Sequence, residues 1–308
     1  MRRRQHRASR STREGGRLNI LSVQSWVSYG HVGNASAMFP LQRLGAEVWA
    51  IHTVQFSNHT GYGAWTGEVF SGASVRMLVR GIADRGALPG IDAVLSGYLG
   101  DQETGRAILD AVRDVRQANP AALYCCDPVM GDVGPGLFVR PGIPELLAGE
   151  SVPAADILTP NQFELEQLTG IACDGRAALL RAVRNLQSRM RAEGPRIVLV
   201  TSVRDAATPD DAVELLAASP REAFLLRTPA LAFAPNGAGD LIAALFLFGM
   251  LGRCGLRASL ERAGSATWGV LAHTLQAGSA ELCLVAAQDE LVAPTRRFDA
   301  EPIIIPVY

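Results

Sequence analysis

The densest chemical signal in the chain is Asn236-Gly237-Ala238-Gly239-Asp240, which runs into the apolar stretch Leu241–Phe248. The glycines permit a tight turn, and the apolar run after them predicts a helix over Gly239–Leu251. The first amides of a helix have no partner inside it, so they point outward and favour an anion. Small residues there let a phosphate approach the backbone. Asp240 then stands where a carboxylate could take the proton of an attacking hydroxyl. Read alone, the segment is equally well a glycine turn whose aspartate sits in the first helical turn, favoured by the helix dipole.

Three other segments carry chemistry-bearing residues. Asp127 closes an apolar run, and Asp132 comes five residues later in Asp127-Pro-Val-Met-Gly-Asp132. Carboxylates of this kind suit Mg²⁺, which usually rides on substrate phosphates. In Thr159-Pro-Asn161-Gln-Phe-Glu164 the spacing of Asn161 and Glu164 is that of a capping box. That structural role is the simpler reading, and a partly exposed Glu164 could also hold a metal-bound water. The polar, aromatic loop Val54–Gly63 contains His59, Thr60 and Gly61 and has the make-up of a ring-binding or lid loop.

These residues need a scaffold, and the hydrophobic pattern supplies one. Short apolar runs predict strands at Leu18–Gln24, Val48–Val54, Ala93–Ser96, Ala122–Cys126, Asp156–Leu158 and Ile197–Val200. Helical periodicity predicts helices at Asn34–Leu44, Ser74–Arg85, Glu103–Ala118, Ala177–Ala192, Gly239–Leu251 and Leu256–Gln276. Alternation of the two implies an α/β fold with a mostly parallel sheet and helices on both faces. Small polar or acidic residues come after strand upon strand: Ser25, Gln55–Thr60, Gly97-Tyr98, Asp127, Thr159, and Thr201-Ser202. In such a sheet the carboxyl edge is where ligands bind.

Composition removes alternatives. The 29 cationic residues are all arginine; the 308-residue chain has no lysine. This excludes a P-loop lysine, a protein-kinase lysine and any Schiff-base lysine. Residues 1–17 hold seven Arg against Glu14, a charge of +6, and are expected to be a disordered extension. The remaining 22 Arg against 29 acids give −7, which argues against a nucleic-acid-binding surface. The five cysteines form no C-x-x-C, and adjacent Cys125 and Cys126 read as buried strand thiols of a reduced, cytoplasmic protein. The apolar run Leu241–Gly252 is too short to span a bilayer. No H-E-x-x-H, no G-x-S-x-G and no dinucleotide G-x-G-x-x-G after the first strand occurs.

Taken together, Ile20–Ser25, Tyr29–Asn34, Thr53–Thr60, Asp127–Asp132, Thr159–Glu164 and Gly237–Asp240 resemble the pyridoxal kinases, the vitamin B6 branch of the ribokinase-like superfamily. The resemblance covers the chain from about Leu18 onward. It implies a ribokinase-like three-layer α/β/α sandwich as a single domain over 18–308, and ATP-dependent phosphorylation of the 5′-hydroxyl of pyridoxal. Asp240 would be the base, and the amides of Gly237, Ala238 and Gly239 the hole for the transferring phosphoryl group. Ser25, His59, Thr60 and Gly61 would hold the pyridine ring, with Tyr98 packing nearby. Asp127, Thr159, Asn161 and Glu164 would surround the nucleotide phosphates and Mg²⁺, with Asp127 and Glu164 toward the metal. Thr201 and Ser202 would lie toward ATP, and Thr228 to Leu231 toward its adenine. The resemblance further implies a homodimer and room for a monovalent cation. Bacterial relatives can carry Lys where this chain has Thr201, and Asn236 stands where an apolar residue or Thr is commoner. Two alternatives stay open: a hydroxymethylpyrimidine kinase and a B6-binding protein without turnover.

Overall fold

The structure, a computed structural model, describes residues 17–232 and 235–304. Its strands are β1 (Asn19–Val27), β2 (Glu47–Phe56), β3 (Gly67–Val69), β4 (Ala93–Ser96), β5 (Leu123–Cys126), β6 (Gly131–Asp132), β7 (Gly136–Leu137), β8 (Ile157–Leu158), β9 (Ile197–Val203), β10 (Ala212–Ala218), β11 (Ala223–Pro229) and β12 (Ala300–Pro302). The helices are α1 (Asn34–Arg43), α2 (Gly72–Ala83), α3 (Gln102–Ala118), α4 (Ile143–Leu146), α5 (Val152–Ala154), α6 (Gln162–Thr169), α7 (Arg176–Arg189), α8 (Ala238–Leu251), α9 (Leu256–Gln276) and α10 (Gln288–Val292). Ten strands form one sheet in the order β12-β11-β10-β9-β8-β5-β4-β1-β2-β3, while β6 and β7 make a small hairpin apart from it.

The six strands from β2 to β9 in that order pair in parallel, and β3, β10, β11 and β12 add antiparallel edges. A strand alternates its side chains between faces, so a continuous apolar run signals burial on both. Val94, Cys126, Leu158 and Val198 lie in one core with residues of α2, α3 and α7. Their neighbours Leu95, Cys125, Ile157 and Leu199 lie in the other, under α1, α8 and α9. The vicinal cysteines thus point to opposite faces of the sheet, and both are free and buried. Each fully buried Leu, Ile or Val side chain contributes about 1.5–3 kcal/mol, and these two cores hold the sheet edge in place.

The parallel half of the sheet agrees with the sequence pattern to within a few residues. The antiparallel half was not predicted. Val213–Leu216 and Ala223–Leu226 lie in the stretch left without assignment, and they pair as β10 and β11 to complete the sheet. The strand expected to end at Val200 continues to Val203. The arginine-rich segment lies, except for Arg17, outside the described residues. Among the described residues no helix is long and apolar enough to cross a membrane.

Candidate active site

The carboxyl ends of β1, β2, β4, β5, β8 and β9 open on a cleft of about 620 Å³. At its centre is the start of α8. Gly237, just before that helix, has φ 90° and ψ −6°, a left-handed conformation that favours glycine. A Cβ there would also run into the carbonyl oxygen of His31. The helix's own bonds begin with Leu241 N donating to Gly237 O at 3.0 Å, so the preceding amides are left for other partners. Gly239 differs from Gly237. Its φ is not left-handed, and a Cβ built on it meets no protein atom. The space that Cβ would enter is the cleft itself, a cradle of the kind a phosphoryl group fills.

Asp240 is partly buried in the first turn of α8, with the amides of Gly33 and of Asp240 itself near its carboxylate. A Cβ on Gly97, just past β4, would lie 3.5 Å from Asp240 Oδ1. Burial raises the Asp240 carboxyl to about 6, against the pull of those two amides.

Ser25, His59, Thr60, Gly61 and Tyr98 line one end of the cleft. Ser25 sits at a register shift between β1 and β2, where it alone opposes Thr53 and Val54. Such a bulge re-aims a side chain. Gly33 (φ 55°) packs so closely on Ser25 that a Cβ would overlap its Oγ. Val27, Val54 and Phe56 form a small apolar cluster here with Val32 and Tyr98. His59 Nε2 donates to Glu281 Oε1 at 2.9 Å, which leaves only Nδ1 for other partners. Glu281 was not singled out in the sequence. It lies 222 residues from His59, in a loop with no motif around it.

The middle of the cleft is acidic. Asp127 is 4% exposed and accepts Thr159 Oγ1 at 2.9 Å through Oδ1. The capping box is present as the spacing predicts: Asn161 Oδ1 accepts Glu164 N at 2.7 Å, and Glu164 Oε2 accepts Asn161 N at 2.9 Å. Glu164 Oε1 also accepts Met130 N at 2.9 Å, and Asn161 Nδ2 donates to Gly131 O at 2.9 Å. The expectation of a partly exposed Glu164 is corrected by this arrangement, since two backbone amides draw it inward until it is 4% exposed. Burial raises its carboxyl to about 8. Burial, then the charges of Glu164 and Asp240, push Asp127 well above the usual carboxylate range. No arginine lines the cleft among the described residues. Among them, too, no group of three or more His, Cys, Asp or Glu side chains could hold a metal by itself.

At the far end, Thr201 and Ser202 together oppose Leu215 of β10, a second bulge, with Ser202 at φ 53°. Thr228 and Leu231 line this end, as does Trp268, whose indole donates to Pro229 O at 3.0 Å. Trp268 was missed because a tryptophan within helical periodicity reads as core.

The chain is 58% identical over 284 residues to the pyridoxal kinase PdxY of Granulibacter bethesdensis, covering 92% of this chain and 99% of that protein. The chain belongs to the pyridoxal kinase family. It is likewise 54% identical to the pyridoxal kinase PdxY of Deinococcus radiodurans, over 92% of this chain and 96% of that one. The family profile described as Phosphomethylpyrimidine kinase matches residues 87–284. The pyridoxal kinase of Leishmania donovani, solved in complex with ADP and pyridoxamine, superposes with a TM-score of 0.85 at 26% identity, covering 93% of this chain and 99% of that one. The large mostly parallel sheet between helical layers is the ribokinase-like fold expected of a pyridoxal kinase. Every residue singled out for the site lines the one cleft, although they come from strands β1, β9 and β11, from the stretches after β2, β4, β5, β8 and β11, and from the start of α8.

Proposed function

We propose that the chain catalyses ATP-dependent phosphorylation of the 5′-hydroxyl of pyridoxal, giving pyridoxal 5′-phosphate for B6 salvage. The observation that carries the reading is the position of Asp240: a carboxylate raised toward neutrality, next to the glycine cradle at Gly239, in the cleft. The pyridine ring lies at the Ser25–Thr60 end over the apolar cluster of Val27, Val54 and Phe56. Its 5′-hydroxyl points to Asp240, which takes the proton as the oxygen attacks. The amides at the start of α8 receive the transferring phosphoryl group, and the helix dipole favours its charge. Thr159, Asn161, Thr201 and Ser202 lie along the nucleotide phosphates, with Thr228 and Leu231 at the adenine. Positioning and charge stabilisation suffice for this chemistry.

The donor set fits Mg²⁺ carried by a nucleotide. Asp127 Oδ2 has no donor among the described residues, whereas each Glu164 oxygen already accepts an amide. Asp127 would therefore hold the ion directly, and Glu164 through water. Bound there, Mg²⁺ would supply positive charge to the phosphates in a cleft whose described lining has no Arg or Lys side chain. A monovalent cation has the same acidic surroundings to draw it. We assign residues 18–308 to one kinase domain, 1–17 to a basic extension, and the protein to the cytoplasm as a homodimer.

A second reading has an observation behind it, since the matching profile is named for phosphomethylpyrimidine kinase. That match begins at residue 87 and leaves out Ser25, His59 and Thr60. It therefore speaks for the phosphoryl-transfer half more than for the ring-binding half. An ADP-release assay with pyridoxal, pyridoxine and hydroxymethylpyrimidine separates the readings. Turnover should be greatest with pyridoxal; turnover with hydroxymethylpyrimidine alone would reassign the substrate, and none with any of the three would leave a binding protein.

A further inference from the structure

Behind the cleft wall, in contact with the lining residue His59, lies the buried carboxylate of Glu281. It lies in the loop after α9 and is 8% exposed. Its Oε1 accepts His59 Nε2 at 2.9 Å and the hydroxyl of Tyr62 at 2.7 Å, and its Oε2 accepts the amide of His31 at 3.1 Å. It packs so tightly on Gly30 that a Cβ there would collide with it. One side chain thus joins the loop after β2, the loop after β1 and the C-terminal region. The loop after β1 in turn backs the glycine turn, because the His31 carbonyl lies against Gly237.

The effect on His59 is chemical as well as mechanical. An ionised carboxylate only accepts, so His59 Nε2 must carry its proton. In the neutral ring Nδ1 is then an acceptor. That atom is buried and has no partner among the described residues. A Cβ on Gly61, another residue lining the cleft, would lie 2.9 Å from it. A buried acceptor without a donor is costly, and a ligand that brings a donor removes the cost.

We infer that Glu281 is a positioning residue for the B6 ring: it clamps the substrate loop to the loop after β1 and fixes the proton of His59 on Nε2, so that Nδ1 is presented as an acceptor to a hydroxyl or ring N–H of the substrate. The inference rests on the assignment of the Ser25–Thr60 end to the ring. Glu281→Gln keeps the shape but puts an NH₂ among three donors. Either the clamp loses a bond or the histidine proton moves to Nδ1, where it repels the substrate's donor.

A double-mutant cycle with His59→Ala, read in steady-state kinetics, tests this. Glu281→Gln should raise the KM for pyridoxal by roughly 10–100-fold, the worth of a hydrogen bond to a charged group, and change the KM for ATP by less than about twofold. In the His59→Ala background the same substitution should have little further effect. A KM for pyridoxal left at the wild-type value, or an equal loss in both backgrounds, overturns the inference. A KM unmoved by His59→Ala itself would instead overturn the assignment of the ring to this end. Should Glu281→Gln not fold, nitrogen NMR of the imidazole in the wild-type protein decides. A proton on Nε2 alone supports the inference, and any proton on Nδ1 overturns it.

Discussion

Asp240 combines two requirements that oppose each other. A base must be ionised to accept a proton, yet its strength rises with the burial that disfavours ionisation. The amides of Gly33 and Asp240 hold the balance, with the carboxyl at about 6. In the free enzyme kcat/KM for pyridoxal should fall about tenfold per pH unit below roughly pH 6, because the protonated carboxyl cannot act as base. A flat profile down to pH 4.5 would remove the base from this position. Asp240→Ala should lower kcat by roughly 10²–10⁴-fold while pyridoxal still binds. Stability changes with the opposite sign. The folded-state value lies above the ordinary 3.8, so this group's contribution is fully present below pH 4 and is lost as pH rises through 6. Asp240→Asn removes that loss, and should melt on the order of a few °C above wild type at pH 8 but not at pH 4. Gly239 makes a similar point by subtraction. No protein atom stands in the way of a Cβ there, and Gly within a helix costs about 0.5–1 kcal/mol relative to Ala. Gly239→Ala should leave the melting temperature equal or higher while kcat falls at least roughly tenfold, since the methyl occupies the phosphoryl cradle. A variant both stable and fully active would mean that the phosphoryl group lies elsewhere.

The elements bring these residues together through irregularities as much as through regular structure. Ser25 and the Thr201-Ser202 pair sit at bulges in strands that are otherwise regular. The capping box ties α6 to the Met130–Gly131 loop through Glu164 and Asn161 Nδ2. Asn161→Ala removes the cap and the bond to Gly131 together. It should cost about 1–2 kcal/mol in denaturant unfolding and raise the KM for ATP more than that for pyridoxal. Equal rises in both would argue that α6 serves the fold rather than the nucleotide end. The same contrast explains what could be read from the sequence. The parallel strands were visible because burial on both faces makes their apolar runs continuous, and the capping box because its spacing is local. The pair β10–β11 was not. Glu214 and Arg227 face each other there and break the apolar runs, and they are buried or half-exposed as an ion pair at 2.7 Å. The burial of Glu164 and the role of Glu281 depend on donors 34 and more than 200 residues away, a distance no periodicity spans.

At the scale of the molecule, the missing lysines become an electrostatic fact about the cleft. Asp127, Asp132, Glu164 and Asp240 line it, no arginine does among the described residues, and the chain beyond residue 17 carries −7. A nucleoside triphosphate is itself a polyanion. Above about pH 8 the Asp240 and Glu164 carboxyls, which burial raises to about 6 and about 8, are ionised, and at an effective dielectric of about 20 two like unit charges roughly 6 Å apart repel by about 3 kcal/mol, or about two orders of magnitude in affinity. Backbone amides at the start of α8 offset part of that, as partial charges do. A cation entering with the nucleotide would supply the rest. Calorimetric titration with ATP at about pH 9 should therefore show affinity falling by roughly 100-fold when divalent ions are replaced by chelator. The salt dependence of the chelated titration is the sharper test, because its sign separates two kinds of site. In a cleft lined by Lys or Arg, salt screens an attraction and weakens binding. In this one it screens a repulsion, so metal-free ATP should bind as well or better at roughly 0.5 M salt than at roughly 0.05 M. Binding that weakens with salt would mean that an arginine reaches the phosphates from outside the cleft wall.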